Sequence, residues 1–494
     1  QRRHGGELLA TTVVITTGTF LGGRLHLGEQ QTPGGRAGEA PQEGLSASLA
    51  ALGLTLGRLK TGTCPRLDGR TLDTARLEWQ PPDDPPPRFA WRAGPPPLTQ
   101  IGCHITHTDD AAHRVIQQAV DEGHSPLFNG QLSGKGPRYC PSVEDKVIRF
   151  PHKTSHHIFL EPQGLDTHEV YPNGLSTSLP PEVQVAFVRA VAGLEEAVIT
   201  RFGYAVAYDF IDPRQLRHSL ELKDVPGLFC AGQINGTTGY EEAGIQGLLA
   251  GVNAARSVQG APPVVLGRHE AYAGVLVDDL VTKGTEEPYR MLTSRAEHRL
   301  ILREDNAHAR LLEVAASIGL IDEERVAQVR EAEAEVAATV ARLHGTTLRP
   351  TPARAALLEA AKSAALTGPT TLAQLVRRPE LGPAQLAALE ADGADAVDDP
   401  CPSPAFTRAV VELKYAGYIA RAHREIEKAA ALEATELDEA MYAERPPGLS
   451  LEVHEKLLVH RPRTLGHASR IPGITPAAVG LLAAHARVFQ RRAG

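Results

Sequence analysis

The stretch Val225 to Gly251, Val-Pro-Gly-Leu-Phe-Cys-Ala-Gly-Gln-Ile-Asn-Gly-Thr-Thr-Gly-Tyr-Glu-Glu-Ala-Gly-Ile-Gln-Gly-Leu-Leu-Ala-Gly, constrains this chain more than any other. The apolar run Leu228 to Ala231 reads as a buried parallel strand, Gly232 to Gly239 as a loop, and Tyr240 to Ala250 as a helix with Ala243, Leu248 and Leu249 turned inward. Strand, glycine-rich loop and helix start gather backbone N–H groups and the positive end of the helix dipole at one point, which suits a polar or anionic ligand. Gly239 is followed by Tyr240, Glu241 and Glu242, not by the Lys-Ser or Lys-Thr of a phosphate cradle, and two carboxylates there repel a triphosphate. A dinucleotide cofactor whose ribityl chain or polar ring edge meets the helix is the better candidate. The structural alternative is a capping box of Thr238 with Glu241, the glycines serving only a tight connection.

With 494 residues, 42% hydrophobic and 22% charged, the chain has room for two to four globular domains. No apolar run approaches a bilayer span and no signal-peptide core follows the N-terminus, so a cytoplasmic protein is expected. Cys64, Cys103, Cys140, Cys230 and Cys401 are scattered, which argues against a disulfide or zinc framework. The formal net charge is -8, so a nucleic-acid partner must meet a local basic surface. The first residue is not Met and a strand-like run follows almost at once, as in a fragment.

That run, Thr11 to Thr17, ends in Gly18 and Gly22-Gly23 and reads as a strand entering a glycine-lined turn, either beside a cofactor or simply buried. Arg36 lies among glycines, where it reaches a phosphate or carbonyl or else sits at the surface. Gly44 to Leu52 is helix-like, and Leu59-Lys-Thr-Gly-Thr-Cys-Pro-Arg is a compact loop that can back a substrate or cofactor. Pro81 to Pro97 is an extended connection, and Leu67 to about Leu179 reads as an inserted domain with a helix near Asp109 to Glu122.

Inside the insertion, Cys140 precedes Pro141 and Ser142, and Ser142 with Asp145 can begin a helix. A thiol there, flanked by Arg138 and Lys146, has its thiolate favoured and makes a nucleophile; the alternative is a small buried residue beside a turn. His152, His156 and His157 lack a carboxylate at helical spacing and read as surface or ligand-edge histidines, a metal site being the lesser alternative. Glu182 to Arg189 reads as a helix and Tyr204 to Phe210 as a strand.

If the part after Pro288 is helical, Arg295, Arg299 and Arg303 share a face that either holds RNA phosphates or pairs with Glu297 and Glu304. Beyond Ala307 the chain turns to Ala, Glu, Leu and Arg with helical periodicity over Glu323 to Leu343, Arg354 to Thr367, Leu372 to Leu381 and Arg408 to Ala434. Lys414-Tyr-Ala-Gly-Tyr-Ile-Ala-Arg421 alternates aromatics with cations, and Arg461 to Ala478, which includes Arg470, has a helix, Pro-Gly hairpin, helix arrangement. This last third reads as an all-helical module suited to a macromolecular partner.

Taken together, Thr16-Thr-Gly-Thr-Phe-Leu, Gly35-Arg-Ala-Gly-Glu, Leu59-Lys-Thr-Gly-Thr, Gly136-Pro-Arg-Tyr-Cys-Pro-Ser-Val-Glu-Asp-Lys, Tyr171-Pro-Asn-Gly-Leu-Ser-Thr-Ser-Leu-Pro, Ala231-Gly-Gln-Ile-Asn-Gly-Thr-Thr-Gly-Tyr-Glu-Glu-Ala, Gly284-Thr-Glu-Glu-Pro-Tyr-Arg-Met and Ala468-Ser-Arg-Ile-Pro-Gly-Ile-Thr-Pro-Ala-Ala closely resemble the MnmG (GidA) family, in family order from end to end. The resemblance implies an α/β FAD-binding domain of glutathione-reductase type (1–66 and 180–302), interrupted by an inserted α/β NAD-binding-like domain (67–179) and followed by an all-α domain (303–494) for tRNA and partner. It implies addition of a carboxymethylaminomethyl or aminomethyl group at C5 of the tRNA wobble uridine, with the GTPase MnmE, methylene-tetrahydrofolate, FAD and NADH, in a typically dimeric enzyme.

Carried over residue by residue, the FAD contacts are Gly18, Arg36, Gly232, Gln233, Asn235, Thr238, Gly239, Tyr240 and Glu241. The NAD(H) segment is Gly136, Pro137, Arg138, Tyr139, Cys140, Pro141, Ser142, Val143, Glu144, Asp145, Lys146, Val147, Ile148, Arg149 and Phe150, and Cys140 is one of two functional cysteines. Arg295, Arg299, Arg303, Lys414, Arg421 and Arg470 are the candidate tRNA contacts. The family's opening Gly-x-Gly-x-x-Gly turn, which holds the FAD pyrophosphate, and its second cysteine are not in this sequence, so weak FAD binding is expected. Cys64 also stands where the family has proline, and Gln163 where it has Glu. The competing readings are a non-catalytic tRNA- or MnmE-binding remnant and the folate-dependent tRNA methyltransferase TrmFO, a family without the long helical tail.

Overall fold

The computed structural model describes residue 6 and residues 8–87, 98–138, 141–391 and 402–493. Tyr139 and Cys140, on which the nucleophile reading depends, lie outside the described residues, as do Cys401 and part of the proline-dense connection. The chain forms two compact units, one of residues 1–264 and 284–290, the other of residues 265–283 and 291–494.

In the first unit the order is β1 (Val13–Ile15), β2 (Arg24–Leu27), β3 (Gln30–Pro33), α1 (Glu43–Ala51), β4 (Leu56–Gly62), β5 (Arg66–Asp68), β6 (Glu78–Gln80), β7 (Cys103–His107), α2 (Asp110–Asp121), α3 (Val143–Arg149), β8 (His157–Pro162), β9 (Glu169–Asn173), α4 (Pro181–Arg189), β10 (Ile199–Arg201), β11 (Ala205–Ile211), β12 (Leu228–Cys230) and α5 (Tyr240–Val258). The parallel strand expected at Leu228 is β12, paired with β1 from Val13↔Leu228 to Ile15↔Cys230. A four-stranded antiparallel sheet, β3-β2-β11-β4, lies beside it in the chain's course, with β11 paired to β4 from Ala205↔Gly62 to Ile211↔Leu56.

The insertion is a six-stranded sheet, β10-β5-β9-β8-β7-β6, and every pairing in it is antiparallel, unlike the parallel order of a doubly wound dinucleotide fold. Its core joins Leu67, Ile116, Val143, Ile158 and Leu175 to Phe187, Val188, Leu194 and Ala197. The body expected to end at Leu179 therefore continues through α4 and β10, because α4 buries its apolar face on α2 and β10 closes the sheet edge at β5. Two caps set the helices: Asp109 accepts from Ala112 N–H at 2.9 Å to start α2, and Ser142 accepts from Asp145 N–H at 3.4 Å to start α3, so Pro141 precedes the cap instead of occupying the first turn.

The second unit is helical, as its periodicity predicts: α6 (Tyr272–Lys283), α7 (Ala307–Ser317), α8 (Glu323–Gly345), α9 (Pro352–Ala360), α10 (Leu372–Val376), α11 (Pro383–Glu390), α12 (Pro404–Glu433), α13 (Leu451–His460), α14 (Leu465–Arg470) and α15 (Pro476–Ala493). Leu343, Leu372, Leu375, Leu386 and Phe406 form one core, and Tyr442, Leu457, Leu465, Ile471 and Leu482 a second. The helix proposed after Pro288 does not form. Thr293–Arg295 is a single 3-10 turn and the rest is irregular until α7, because side chains take the carbonyls a helix needs: Asn306 Nδ2 bonds Ile301 O, Arg303 Nη1 bonds Leu300 O and Arg310 Nη2 bonds Arg303 O, each at 3.0 Å. Among the described residues no helix is long and apolar enough to cross a membrane.

Candidate functional site

Directly after β12 the chain turns through a short 3-10 helix, Gly232–Asn235, before α5. Gly236 (φ +82°) and Gly239 (φ +139°) are held where L side chains are strained, and a Cβ on Gly236 would meet Thr285 Cγ2 at 2.5 Å. Gly239 is the N-cap of α5 and supplies no side-chain cap, so the Thr238–Glu241 capping box is not formed. The helix runs on to Val258; Leu249 is buried as expected, Ala243 half-buried, and Leu248 is exposed. Tyr240 and Glu241 are both exposed.

The loop is fixed from within. Asn235 is fully buried and donates Nδ2–H to Cys230 O at 2.7 Å and to Gln246 Oε1 at 2.9 Å, while Gln246 donates to Thr237 Oγ1 at 3.1 Å. It is also held by the segment 284–290, a constraint that sequence reasoning did not find: Tyr289 N–H donates to Gly236 O at 2.8 Å and Thr238 N–H to Tyr289 O at 2.9 Å. Arg290 Nε lies 3.5 Å from Glu242 Oε1, offsetting one of the two carboxylates at the helix start. The same segment meets the run leading to α3, through Lys135–Glu286 at 3.0 Å and Arg138–Glu287 at 3.1 Å. The signal for this was the Gly284-Thr-Glu-Glu-Pro-Tyr-Arg-Met match, whose spatial partner no local pattern names.

Near Gln233, Thr17 Oγ1 and Asn235 Oδ1 are buried without a hydrogen bond. Gln233 lies against the Tyr208 hydroxyl, whose proton affinity burial shifts so that it stays neutral, and its Oε1 is 3.4 Å from where a Cβ on Gly18 would stand. Gly18, Gln233, Asn235 and Gly239 are thus brought together. Arg36 is not: it is mostly exposed and its Nε bonds Glu39 Oε1 at 2.8 Å.

The segment Gly134 to Arg138 runs along the outer edge of β4, where Lys60 N–H donates to Lys135 O at 3.0 Å. α3 is pinned to residues 174–178 by Val143 N–H to Ser176 O at 2.7 Å, Lys146 Nζ to Gly174 O at 3.0 Å, and Ser178 N–H and Oγ–H to Glu144 Oε1 at 3.1 Å each. Asp145 is paired with Arg149 at 2.6 Å. Of the histidines, His157 Nδ1 meets His107 Nε2 at 2.9 Å across β8 and β7, and no metal-binding group of three or more His, Cys, Asp or Glu occurs among the described residues.

A family model described as "Glucose inhibited division protein A" matches residues 2–262, and models described as the MnmG/GidA "C-terminal helical domain" and "C-terminal helical bundle" of a tRNA modifying enzyme match residues 323–423 and 425–494. The chain belongs to the MnmG/GidA family. The MnmG of Geobacter metallireducens, a tRNA uridine 5-carboxymethylaminomethyl modification enzyme, is 50% identical over 478 residues, covering 97% of this chain and 76% of that protein. The MnmG of a Nitratiruptor species is 47% identical over 485 residues, covering 98% and 76%. The solved structure of Aquifex aeolicus GidA in its form II crystal superposes with a TM-score of 0.82 at 41% identity, over 96% of this chain and 74% of that one.

The candidate tRNA residues divide in the MnmG/GidA helical unit. Arg299 and Arg421 are exposed. Arg303 is engaged with Asp305 at 2.8 Å and with Glu412, Arg470 with Asp278 at 2.9 Å and with Glu433, and Lys414 Nζ with the carbonyls of Pro379 and Leu381 at 3.1 and 3.2 Å. Arg295 is half-buried. The expected stripe is thus not one continuous cationic face.

Proposed function

We propose that this chain modifies the wobble uridine of tRNA at C5, adding a carboxymethylaminomethyl or aminomethyl group, as an FAD-dependent enzyme using NADH and a methylene-tetrahydrofolate carbon together with the GTPase MnmE. The observation that carries the reading is the loop Gly232–Gly239, where the start of α5, the Tyr208 hydroxyl and the buried, unpartnered Thr17 and Asn235 oxygens lie around Gln233. That donor and acceptor set fits the polar edge of a flavin. Gln233, Asn235, Gly239 and the first turn of α5 would hold the ring edge and ribityl chain, with Gly232, Thr238, Tyr240 and Glu241 around them. Bound there, the flavin would supply hydride-transfer chemistry.

The protein's own part is to position and activate the uracil. A Cys140 thiolate adds to C6, forming an S–C6 bond, and the C5–C6 electron pair moves through C5 and C4 to O4; C5 then becomes the nucleophile towards the one-carbon unit. Loss of the C5 proton and expulsion of the thiolate restore the ring, with the CH2 still bonded to a tetrahydrofolate nitrogen, and an amine then forms the new C–N bond as tetrahydrofolate leaves with the proton. Arg138 and Lys146 favour the thiolate by their charge. Gly136 to Phe150 serves the nicotinamide cofactor, the helical unit serves tRNA and MnmE, and the chain works as a homodimer in the cytoplasm.

The test is the flavin absorbance of the purified 494-residue chain after soaking with FAD. A stoichiometric band that Gln233→Ala weakens at least tenfold supports the reading; no band from a folded protein points to the binding-only alternative. In cells whose MnmG is replaced by this chain, Cys140→Ser should abolish the modified nucleoside, measured by mass spectrometry of digested tRNA, while flavin stays bound.

A further inference from the structure

The returning segment Gly284–Arg290 is tied to two parts of the first unit. To the glycine loop it is joined as a parallel bridge, Thr237 beside Tyr289, closed by the Tyr289–Gly236 and Thr238–Tyr289 backbone bonds. By its side chains it reaches a second run: the Glu286 carboxylate meets Lys135 Nζ at 3.0 Å and the Glu287 carboxylate meets Arg138 Nε at 3.1 Å. The backbone that presents these carboxylates is held at several points. Gly284 turns at φ +70° against the Arg214 side chain, Thr285 Oγ1–H donates to Glu287 O, and Pro288 fixes the next φ before the Tyr289 bonds. Lys135 and Arg138 lead directly to Cys140. Beyond it the chain is anchored again, where Ser142 caps α3 and Val143 N–H donates to Ser176 O at 2.7 Å. Cys140 thus stands two residues from an anchor on either side, and a stretch that short goes where its ends are held. The α3 end is fixed by the buried Val143 and Glu144, whereas the Arg138 end depends on an ion pair whose side chains are 67% and 36% exposed. A pair this exposed adds little to stability, so it can be removed with the fold intact.

We propose that Glu287 is a positioning residue for the cysteine segment: by holding Arg138, while Glu286 holds Lys135, it fastens the run that carries Cys140 to the strand that closes the glycine loop. The inference rests on the tRNA-modification reading, in which Cys140 attacks the uracil. The nucleophile's place is then set from the cofactor loop itself. A shift of Gly236 or Thr238 moves Tyr289, Tyr289 moves Glu287 two residues before it, and Glu287 moves Arg138, through contacts of 2.8, 2.9 and 3.1 Å. Contiguity alone does not establish coupling; non-additivity between substitutions at Gly236 and Glu287 does. A purely electrostatic role would differ, because Glu287 offsets the Arg138 charge that favours the Cys140 thiolate and would act with no regard to where the segment is held.

Timed iodoacetamide labelling of the purified full chain, read as peptide mass at each cysteine, tests this without tRNA or cofactor. Glu287→Gln should speed labelling of Cys140 about fivefold by releasing its segment, with Cys103 unchanged and the buried Cys64 and Cys230 still unlabelled. Arg138→Glu, which sets two carboxylates face to face, should speed it as much, and Arg138→Glu combined with Glu287→Arg should return it to within about twofold of the unaltered chain. If charge alone acts, Arg138→Glu slows labelling instead, and that result overturns the proposal, as does an unchanged rate in Glu287→Gln or an equal rise at Cys103. Gly236→Ala, whose methyl would displace Thr285, should also speed Cys140 labelling, and this gain should vanish in the Glu287→Gln background; additive gains overturn the proposal as well. In cells relying on this chain, Glu287→Gln should lower the modified nucleoside about fivefold and Glu287→Asp by less, since the shorter acid keeps the charge; an undiminished yield in Glu287→Gln also counts against it. Absence of the nucleoside with the unaltered chain refutes the tRNA-modification reading instead, and the labelling still decides what holds the cysteine segment.

Discussion

Asn235 shows how much of the loop depends on one amide. Its Nδ2 serves both Cys230 O and Gln246 Oε1, and the site is fully buried. Asn235→Ala leaves those two acceptors unpaired, which costs about 1–3 kcal/mol for such a buried group, and should appear as a lower urea midpoint with an unchanged slope. Cys230, beside it, is buried and its thiol is pushed up to about 12 by desolvation. It should resist iodoacetamide in the native protein and react only after unfolding, read as peptide mass. The sequence pattern identified Gln233 and its glycines because strand, loop and helix are contiguous. Lys60 and Glu144 both lie in stretches that the sequence singled out, but Lys60 meets Gly136, and Glu144 meets Ser178, only through the fold, which no local pattern encodes.

At the scale of elements, α3 was legible because Ser142 and Asp145 are a local capping pair, and the arginine stripe misled because four-residue spacing permits a helix without requiring one. What governs that region is a charge network instead. Arg268 bonds Asp278 at 3.0 Å, Asp279 at 2.8 Å and Glu297 at 2.8 Å, and Asp278 and Asp279 have side chains only 5% and 3% exposed. Arg268→Met takes one cation from each buried carboxylate, leaving Asp278 with Arg470 and Asp279 with Lys283, and should destabilise the helical unit by about 1.5–3 kcal/mol in chemical denaturation, whereas a surface pair such as Arg330 with Glu313 should be worth less than about 1 kcal/mol.

The turn between β7 and α2 carries a pH dependence. His113 Nε2 lies 2.8 Å from Thr108 Oγ1, and burial lowers the proton affinity of His113 and of its neighbour His156 below the ordinary 6.5. The unfolded chain then binds the additional protons, so stability is fully present above the ordinary histidine value and falls as pH drops below it. The urea midpoint of the first unit should fall between about pH 7.5 and about pH 5.5, and His113→Gln should flatten that dependence.

Over the whole molecule, the chain visits the first unit, enters the second at Val265, returns for Gly284–Arg290 and leaves again. The return is what holds Gly236 and Thr238 through Tyr289. Replacing residues 284–290 by a flexible linker of equal length should speed proteolysis within the glycine loop about tenfold, since local opening sets cleavage, while the melting of α8–α15 stays unchanged. Helical periodicity made the second unit readable, whereas the return is a non-local pairing that no periodicity encodes.

That return also bears on inheritance. A single genetic crossover at residue 264 would give a recombinant the glycine loop of one parent and its Tyr289 clasp, with the Arg290 counter-charge to Glu242, from the other. The two units are therefore not interchangeable cassettes, and variation in the loop and in the clasp must pass together from one generation to the next.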